Sequence, residues 1–553
     1  MKKIFDTTKI FLICILALGF VLRVGGISYG LPLWLVGDEP PFTLTALKMI
    51  ELSTLLPVLH QADFSKVLYF SPYLSYIYLP AFTAILFSKL ILFGGTIQGF
   101  ADYLLNDLSA FFIAARLISV LFGTATIYLV YRIAKHIFEN ERTALISAAF
   151  LSFSVSHVLL SHWGRDWIPA TFFFALSIYF LTDPKREESR RHLLSSITGG
   201  IAFGVSIIAA FIPIFLTLWE TMRVGLKTLV RTKTVYLSAL IFALLTACSL
   251  AIYPYGFFLT KAHSAGEAKS ITGLLHAYSS LLKPIVVSDP FLFIWVGIGL
   301  LCSFMFYRKF FLTAFLFINI YILIFYFSFH TGDRFMIYLF PLFALLAGYG
   351  LSTILEKLNR NSIMLGFGIL TMIVMLAHSI RLDYVLLKND TRTQARQWIE
   401  KNLREGSKII VLAPLTRLSV TPEAVEEQGA IGSHSLRQID LSEARSPKTT
   451  IPHRQFHALN LYAIDANAED FYRRIGAYRK ENGYQYALVS TEEFPGDADK
   501  NYAQKMLIES GTTIMRFPGS GIFSFDLTEG SIGSMKDLWT MENNGPEILI
   551  IRY

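Results

Sequence analysis

Residues 10–42, "IFLICILALGFVLRVGGISYGLPLWLVGDEPPF", set an apolar run directly before two adjacent carboxylates and two prolines. A membrane-spanning helix needs ~20 mainly apolar residues, and 10–30 supplies them. Lys2, Lys3 and Lys9 precede the run, and Lys and Arg are retained on the cytoplasmic side of a membrane. The N-terminus is therefore expected inside and Asp38-Glu39 outside. No small-residue cleavage site follows, so the run reads as an uncleaved first helix. The side given to this loop fixes the side of every later one.

Further runs of spanning character occupy 72–94, 110–134, 142–160, 166–182, 193–222, 234–256, 287–307, 310–329, 335–354 and 361–381. With 53% hydrophobic residues and 47 phenylalanines, the chain is a polytopic membrane protein rather than one soluble domain. Its net charge of +8 is accounted for by short basic loops, which argues against nucleic acid as the partner. Cys14, Cys248 and Cys302 all fall in apolar segments, so no disulfide framework is expected. After about residue 382, charged residues and turn formers take over.

The basic loops at 132–142, 183–192, 223–233, 308–309 and 356–360 are expected to be cytoplasmic. An odd number of crossings must then separate Asp38 from residue 135. Of the two runs available, 72–94 is expected to lie on the outer surface or to dip and return. The run 193–222 has basic loops on both sides, so it crosses an even number of times, as a tight pair of short helices. The expected fold is thus a polytopic α-helical bundle of about 11 crossings plus external surface helices, with a C-terminal extracytoplasmic α/β domain. The membrane domain spans 1–381 and the soluble domain 382–553. The protein would sit as a multi-pass chain in the plasma membrane, its N-terminus cytoplasmic.

This topology gathers the polar loops on one face. Asp38 and Glu39 follow a glycine and precede Pro-Pro, so the backbone around them is turned and stiffened. A carboxylate beside a bilayer is costly unless solvated, paired or functional. "SHWGRDW", residues 161–167, offers His162 and the pair Arg165-Asp166 between flanking tryptophans; it reads equally as an interfacial aromatic belt. "HTGDR", residues 330–334, brings His330, Asp333 and Arg334 to a turn, and arginine suits a phosphate through paired hydrogen bonds. The loop 257–286 adds Lys261, His263, Lys269 and His276 with only Glu267 against them. No P-loop, GxGxxG, HExxH or CxxC pattern is present.

The order of "FSPYLSYIYLPAFTAILF", "AARLISVLFGTATIYLVYRIAKHIF", "SHWGRDWIPATFFFALSIYFL", "GDRFMIYLFPLFALLAGYGL" and "NDTRTQARQWIEKNL" resembles the GT-C membrane glycosyltransferases. The branch is that of the protein O-mannosyltransferases and aminoarabinose lipid A transferases, and the resemblance covers roughly residues 8–405. It implies a bundle of about a dozen helices with an extracytoplasmic active site. It also implies an undecaprenyl- or dolichyl-phosphate sugar donor and inverting transfer. Asp38 matches the family's catalytic carboxylate, Asp166 the acidic position of the second loop, and Arg334 a basic position near the donor phosphate. Where many relatives carry a lysine, "GVSIIAAFIPIF" is apolar around Ala209-Ala210.

The mechanism expected on this basis uses Asp38 as general base, with Glu39 second and Asp166 holding an acceptor hydroxyl or orienting Arg165. Arg334, His330, Lys261 and Arg165 are the candidates for the donor phosphate, and His162 and His263 for positioning acceptor or sugar. No cofactor is required; the chemistry admits a bridging divalent metal without needing one. The partners are the lipid bilayer, the donor, and a protein, glycolipid or polysaccharide acceptor. In the soluble domain, helices are expected at 391–403 and 469–483, and strands at "KIIVLAP", "YQYALVS", "GIFSFDL" and "EILIIRY". A transporter or flippase of lipid-linked glycans, or a membrane-anchored binding scaffold, is the alternative.

Overall fold

The computed structural model describes residues 2–37, 39–64, 71–92, 108–254, 274–328, 332–357, 362–431, 454–464, 469–494, 496–520 and 533–553. The membrane part begins with α1 (Lys2–Val24), α2 (Glu39–Glu51), α3 (Pro72–Leu92) and α4 (Ser109–Phe138). It continues through α5 (Glu141–Phe153), α6 (Val155–Ser161), α7 (Trp167–Thr182), α8 (Glu188–Val205), α9 (Ile212–Val224) and α10 (Lys233–Ile252). The last helices are α11 (Leu274–Ser288), α12 (Pro290–Phe306), α13 (Arg308–Ser328), α14 (Phe340–Lys357) and α15 (Ser362–Leu386). Among the described residues, 8 helices are long and apolar enough to cross a membrane, or up to 10 if each of two bent pairs is one span.

The bundle has two chemically distinct ends. At one, the basic loops meet. His136 lies 3.9 Å from Asp183, Arg132 donates to Tyr179, Tyr307 donates to the Ile137 carbonyl, and Lys357 sits over the Phe306 ring. The start of α8 and the end of α9 also meet here, through Arg223 and Glu188 at 2.6 Å. The run 193–222 therefore turns back on itself, as its basic flanks require. Gly199 and Gly200 lie against the next helix, α10, where added methyl groups would strike Phe242 and Leu245.

The segment α3 is one unbroken helix of 21 residues with Pro80 inside it, not a chain that dips and returns. It is long and apolar enough to cross. Its contacts, however, lie at the end away from the basic loops. Ser71 donates to the Val205 carbonyl, Gly204 meets the Tyr73 ring, and Phe82 packs edge-on against Phe111.

Two helix breaks seal each other. α5 and α6 bend by 60°, and α11 and α12 by 116°. Backbone freed inside a bilayer must find protein partners. Ser154, at the first break, donates to Asp289 at the second (2.6 Å), and Ser156 meets Ser288. α15 closes both, with Ser379 donating to the Phe153 carbonyl and His378 Nε2 to the Ser288 carbonyl. Because the Trp539 indole N–H can only donate, and does so to His378 Nδ1, the proton of this ring is on Nε2.

The last long helix ends at Leu386, and a sheet domain follows it. Its strands are β1 (Lys408–Leu412), β2 (His457–Asn460), β3 (Tyr486–Ser490), β4 (Thr512–Phe517) and β5 (Ile548–Arg552), in the order β2-β1-β3-β5-β4. β1 pairs in parallel with β2 and β3, whereas β5 runs antiparallel to β3 and β4. Alternation along β1 sends Ile410 and Leu412 into one core and Ile409 and Val411 into another. α16 (Thr391–Asn402) covers the second with Ala395 and Ile399, four residues apart and so on one face. The helical stretch at 469–483 is broken into Glu469–Arg473 and Ile475–Glu481. β2 and β4 were not expected, and "GIFSFDL" lies outside the described residues.

Glu427 ties this domain together. One oxygen accepts from the hydroxyls of Tyr478 and Tyr484, the other from His457 Nε2. Burial pushes its carboxyl up, but these hydrogen bonds outweigh burial and hold it below the ordinary value of 4.5. A depressed folded-state pKa adds stability above the unfolded pKa that is lost as pH falls through the folded one. Hydrogen exchange of the β2 and β3 amides should therefore accelerate below about pH 4.5, and Glu427→Gln should remove this acid sensitivity at some cost at neutral pH.

In the membrane bundle, α12 and α14 approach at glycine. A Cβ on Gly299 would lie 2.0 Å from the Leu346 carbonyl oxygen, and one on Gly350 2.7 Å from the Gly299 nitrogen. Gly299→Ala should lower thermal stability in detergent by about 1–3 kcal/mol, the usual range for overpacking; an unchanged melting temperature would show that the helices separate freely.

Candidate active site

The end opposite the basic loops is organised by a buried ion pair. Arg116 projects from α4 and meets Glu39, at the start of α2, in a bidentate pair: Nε to Oε1 at 2.8 Å and Nη2 to Oε2 at 2.6 Å. Neither side chain is exposed. The Gly164 N–H also donates to Glu39 Oε1 (2.7 Å), and Arg116 Nη1 donates to the carbonyls of Ile27 and Tyr29. One guanidinium and one carboxylate thus join the end of the first helix, the first loop, α4 and the turn between α6 and α7. Glycine is required at 164, because a Cβ there would lie 2.8 Å from that of Ala115 and 3.1 Å from Glu39 Oε1.

The same turn carries Arg165, which is buried. Its Nη1 donates to the Gly37 carbonyl (3.2 Å), and its guanidinium lies 3.6 Å from the centre of the Trp167 ring. Arg334 reaches the same ring from the other loop, at 5.8 Å. Two cations therefore meet one indole ring beside the first loop, an arrangement that raises the local positive potential. Asp166 is also buried here, close enough for its charge to act on the hydroxyls of Tyr78 and Tyr338.

The structure thus brings together Glu39, Arg165, Asp166 and Arg334 from loops far apart in sequence. Asp38, Lys261, His263 and His330 lie outside the described residues. Gly37 and Glu39, the neighbours of Asp38, are both anchored. Glu39 itself has both oxygens engaged by protein donors, which ties the first loop to α4 and to the turn at Gly164. His162 is fully buried, with Nδ1 2.8 Å from the Val158 carbonyl, Nε2 2.5 Å from the Gly25 carbonyl and Asp383 at 3.5 Å. Both ring nitrogens thus face backbone carbonyls, which ties this turn to the segment that follows α1.

Arg116 was not anticipated. The available signal was a lone arginine inside an apolar helix, which is rare without a partner. Buried Arg23, which donates to His157 Nδ1 at 2.8 Å and to the carbonyls of Gly19, Leu151 and Ser152, carried the same signal. Among the described residues, one group of three ligand-type side chains could hold a metal ion, Glu188, His192 and Glu220, and it belongs to the opposite end.

Residues 103–253 match the family model described as dolichyl-phosphate-mannose-protein mannosyltransferase. This segment holds α4 to α10 and lies inside the GT-C resemblance. No curated protein matches the chain. Among solved structures, ArnT from Cupriavidus metallidurans bound to undecaprenyl phosphate is similar at 12% identity, with a TM-score of 0.46, covering 88% of this chain and 93% of that one. The Archaeoglobus fulgidus oligosaccharyltransferase is similar at 14% identity, with a TM-score of 0.42 over 80% of this chain. The alignment takes in 64% of the archaeal enzyme, so the chain spans less than two thirds of its length. At these scores neither likeness assigns a role to a residue.

Removing one partner of a buried ion pair strands the other and costs about 3–5 kcal/mol. Glu39→Gln and Arg116→Met should each destabilise the protein by that order, measured as unfolding in detergent. Glu39→Met with Arg116→Met together should cost clearly less than the sum of the single changes. Additive losses would mean that the two side chains act independently.

Proposed function

We propose that the chain is an inverting glycosyltransferase. It would move a sugar from a polyprenyl-phosphate donor to an acceptor on the extracytoplasmic side, a protein, glycolipid or polysaccharide. The observation that carries this reading is the convergence of Arg165 and Arg334 on Trp167, beside a first loop whose residues 37 and 39 are both fixed. The family-model match over 103–253 supports the class of reaction. Residues 1–381 form the catalytic membrane domain in this reading, and 382–553 an extracytoplasmic domain that faces the acceptor. The basic loops, being cytoplasmic, put the carboxylate end outside.

The reaction needs three things of the protein. An acceptor hydroxyl attacks C1 of the sugar as the C1–O bond to phosphate breaks, and the hydroxyl proton must go to a base on the face opposite the leaving group. Asp38 takes it. The polyprenyl phosphate leaves with its charge, which Arg334 and Arg165 stabilise together with Lys261 and His330. Asp166 orients the acceptor or Arg165, and Glu39 with Arg116 holds the loop so that the base stays in reach. His263 positions sugar or acceptor. A divalent metal is not needed for these roles.

A positioned general base contributes about 100- to 10,000-fold. Asp38→Asn should lower turnover with polyprenyl-phosphate sugars and native membrane extract by that order, with donor binding retained. Transfer equal to wild type would remove Asp38 from the mechanism. Arg334→Met should lower kcat as well as raise the KM for donor, because the charge it stabilises grows as the phosphate leaves. Donor-stimulated flux across vesicles without transfer would favour the transporter reading.

A further inference from the structure

We propose a second site, for a first-row divalent cation such as zinc, at the basic end of the bundle. It is formed by Glu188 and His192 of α8 and Glu220 of α9. Glu188 and His192 are four residues apart on one helix and so share a face. Single ligand atoms of all three lie within 4.8 Å of one another.

A trio of such residues is common without an ion, and three further observations separate this one. Glu220 is buried; its Oε2 accepts from Arg223 Nε at 2.8 Å, while its Oε1 has no hydrogen-bond partner. His192 is equally buried, and its Nε2, 3.6 Å from Glu220 Oε2, has no hydrogen bond either. The other ring nitrogen, Nδ1, is held by the Thr234 hydroxyl at 3.2 Å. In the tautomer that carries its proton on Nδ1 and gives it to Thr234, the Nε2 lone pair faces the Glu220 carboxylate. Two acceptors then face each other in a buried place, an arrangement that a bound cation relieves. A ligating histidine is characteristically oriented through its second nitrogen in this way.

Arg223 explains how the two carboxylates stay together without an ion, because its Nη2 lies 2.6 Å from both Glu188 and Glu220. A cavity of about 170 Å³ opens beside His192, Ser195 and Glu220, with room for a water as a further ligand. One imidazole nitrogen and two carboxylate oxygens suit zinc and its neighbours better than magnesium, which prefers six oxygens. The ion would clasp the start of α8 to the end of α9, closing the helix pair that carries the chain from one cytoplasmic loop back to the next. The site stands apart from the proposed transferase reaction and does not depend on it.

The test uses the full chain in detergent, dialysed against micromolar zinc(II) and then analysed for bound metal. Wild type should retain one zinc per chain and show a higher unfolding temperature with zinc, whereas His192→Ala should show neither. Thr234→Val leaves all three ligands in place and should weaken zinc binding by about 10- to 100-fold, the usual effect of losing a partner of this kind. Cobalt(II) added to wild type should give visible bands of a low-coordinate site, which decides the matter even if His192→Ala does not fold. Zinc content equal in wild type and His192→Ala would overturn the proposal. So would wild type without zinc or cobalt bands, or a Thr234→Val variant with unaltered affinity.

Discussion

The pairing of Arg116 with Glu39 is the contact on which the rest of the carboxylate end depends. A charge withdrawn from water is tolerated only with a partner and a full set of hydrogen bonds. Here the partner lies 77 residues away in the chain. Satisfying both groups draws in two carbonyls of the turns just after the first helix and the Gly164 N–H. Once Gly164 is fixed, Arg165 next to it can reach the Gly37 carbonyl and Trp167, and Trp167 in turn meets Arg334. Each contact presupposes the one before. The first loop, the second loop and the turn before α14 are thus a single electrostatic unit.

Much of this was legible in the sequence, and the reason is that sidedness is written in lysine and arginine. Basic loops from five places were expected on one side, and the structure brings 132–142, 183–192, 223 and 307–309 to one end. The same logic gathered Glu39, Arg165, Asp166 and Arg334 at the other. What the sequence does not separate is Asp38 from Glu39. Two adjacent carboxylates look alike until a distant arginine claims one of them. The surroundings of His162 are hidden for a related reason, since an interfacial histidine gives no sign that both its ring nitrogens face carbonyls. In the soluble domain, β1, β3 and β5 announced themselves as apolar runs. β2 is four residues long, and β4 is largely exposed, so neither has the buried pattern by which strands are recognised.

The soluble domain is bonded to the bundle at several points. Arg381 on α15 donates to the carbonyls of Leu538, Trp539 and Met541. Asn544 donates to the Val385 carbonyl, and Tyr29 donates to Asp390 (3.0 Å). Arg417, in the segment after β1, lies over the Trp34 ring at 5.4 Å. The carboxyl edge of the parallel strands therefore looks toward the first loop. In open α/β sheets that edge is where ligands are held. The sheet domain and the carboxylate end are in direct contact.

The position of β5 has a consequence for how the molecule is made. It pairs with both β3 and β4, and the contacts to Arg381 come from residues only slightly before it. During synthesis the membrane helices through α15 are complete long before residues 535–552 leave the ribosome. Until then the sheet is split, Arg381 has no carbonyls to cap, and the wall facing Trp34 is unfinished. Such long-range pairings are slow to form. The end of the protein with the candidate active site is thus completed only after α15, so a chain still in synthesis has its helices through α15 before the sheet that bonds to them is built.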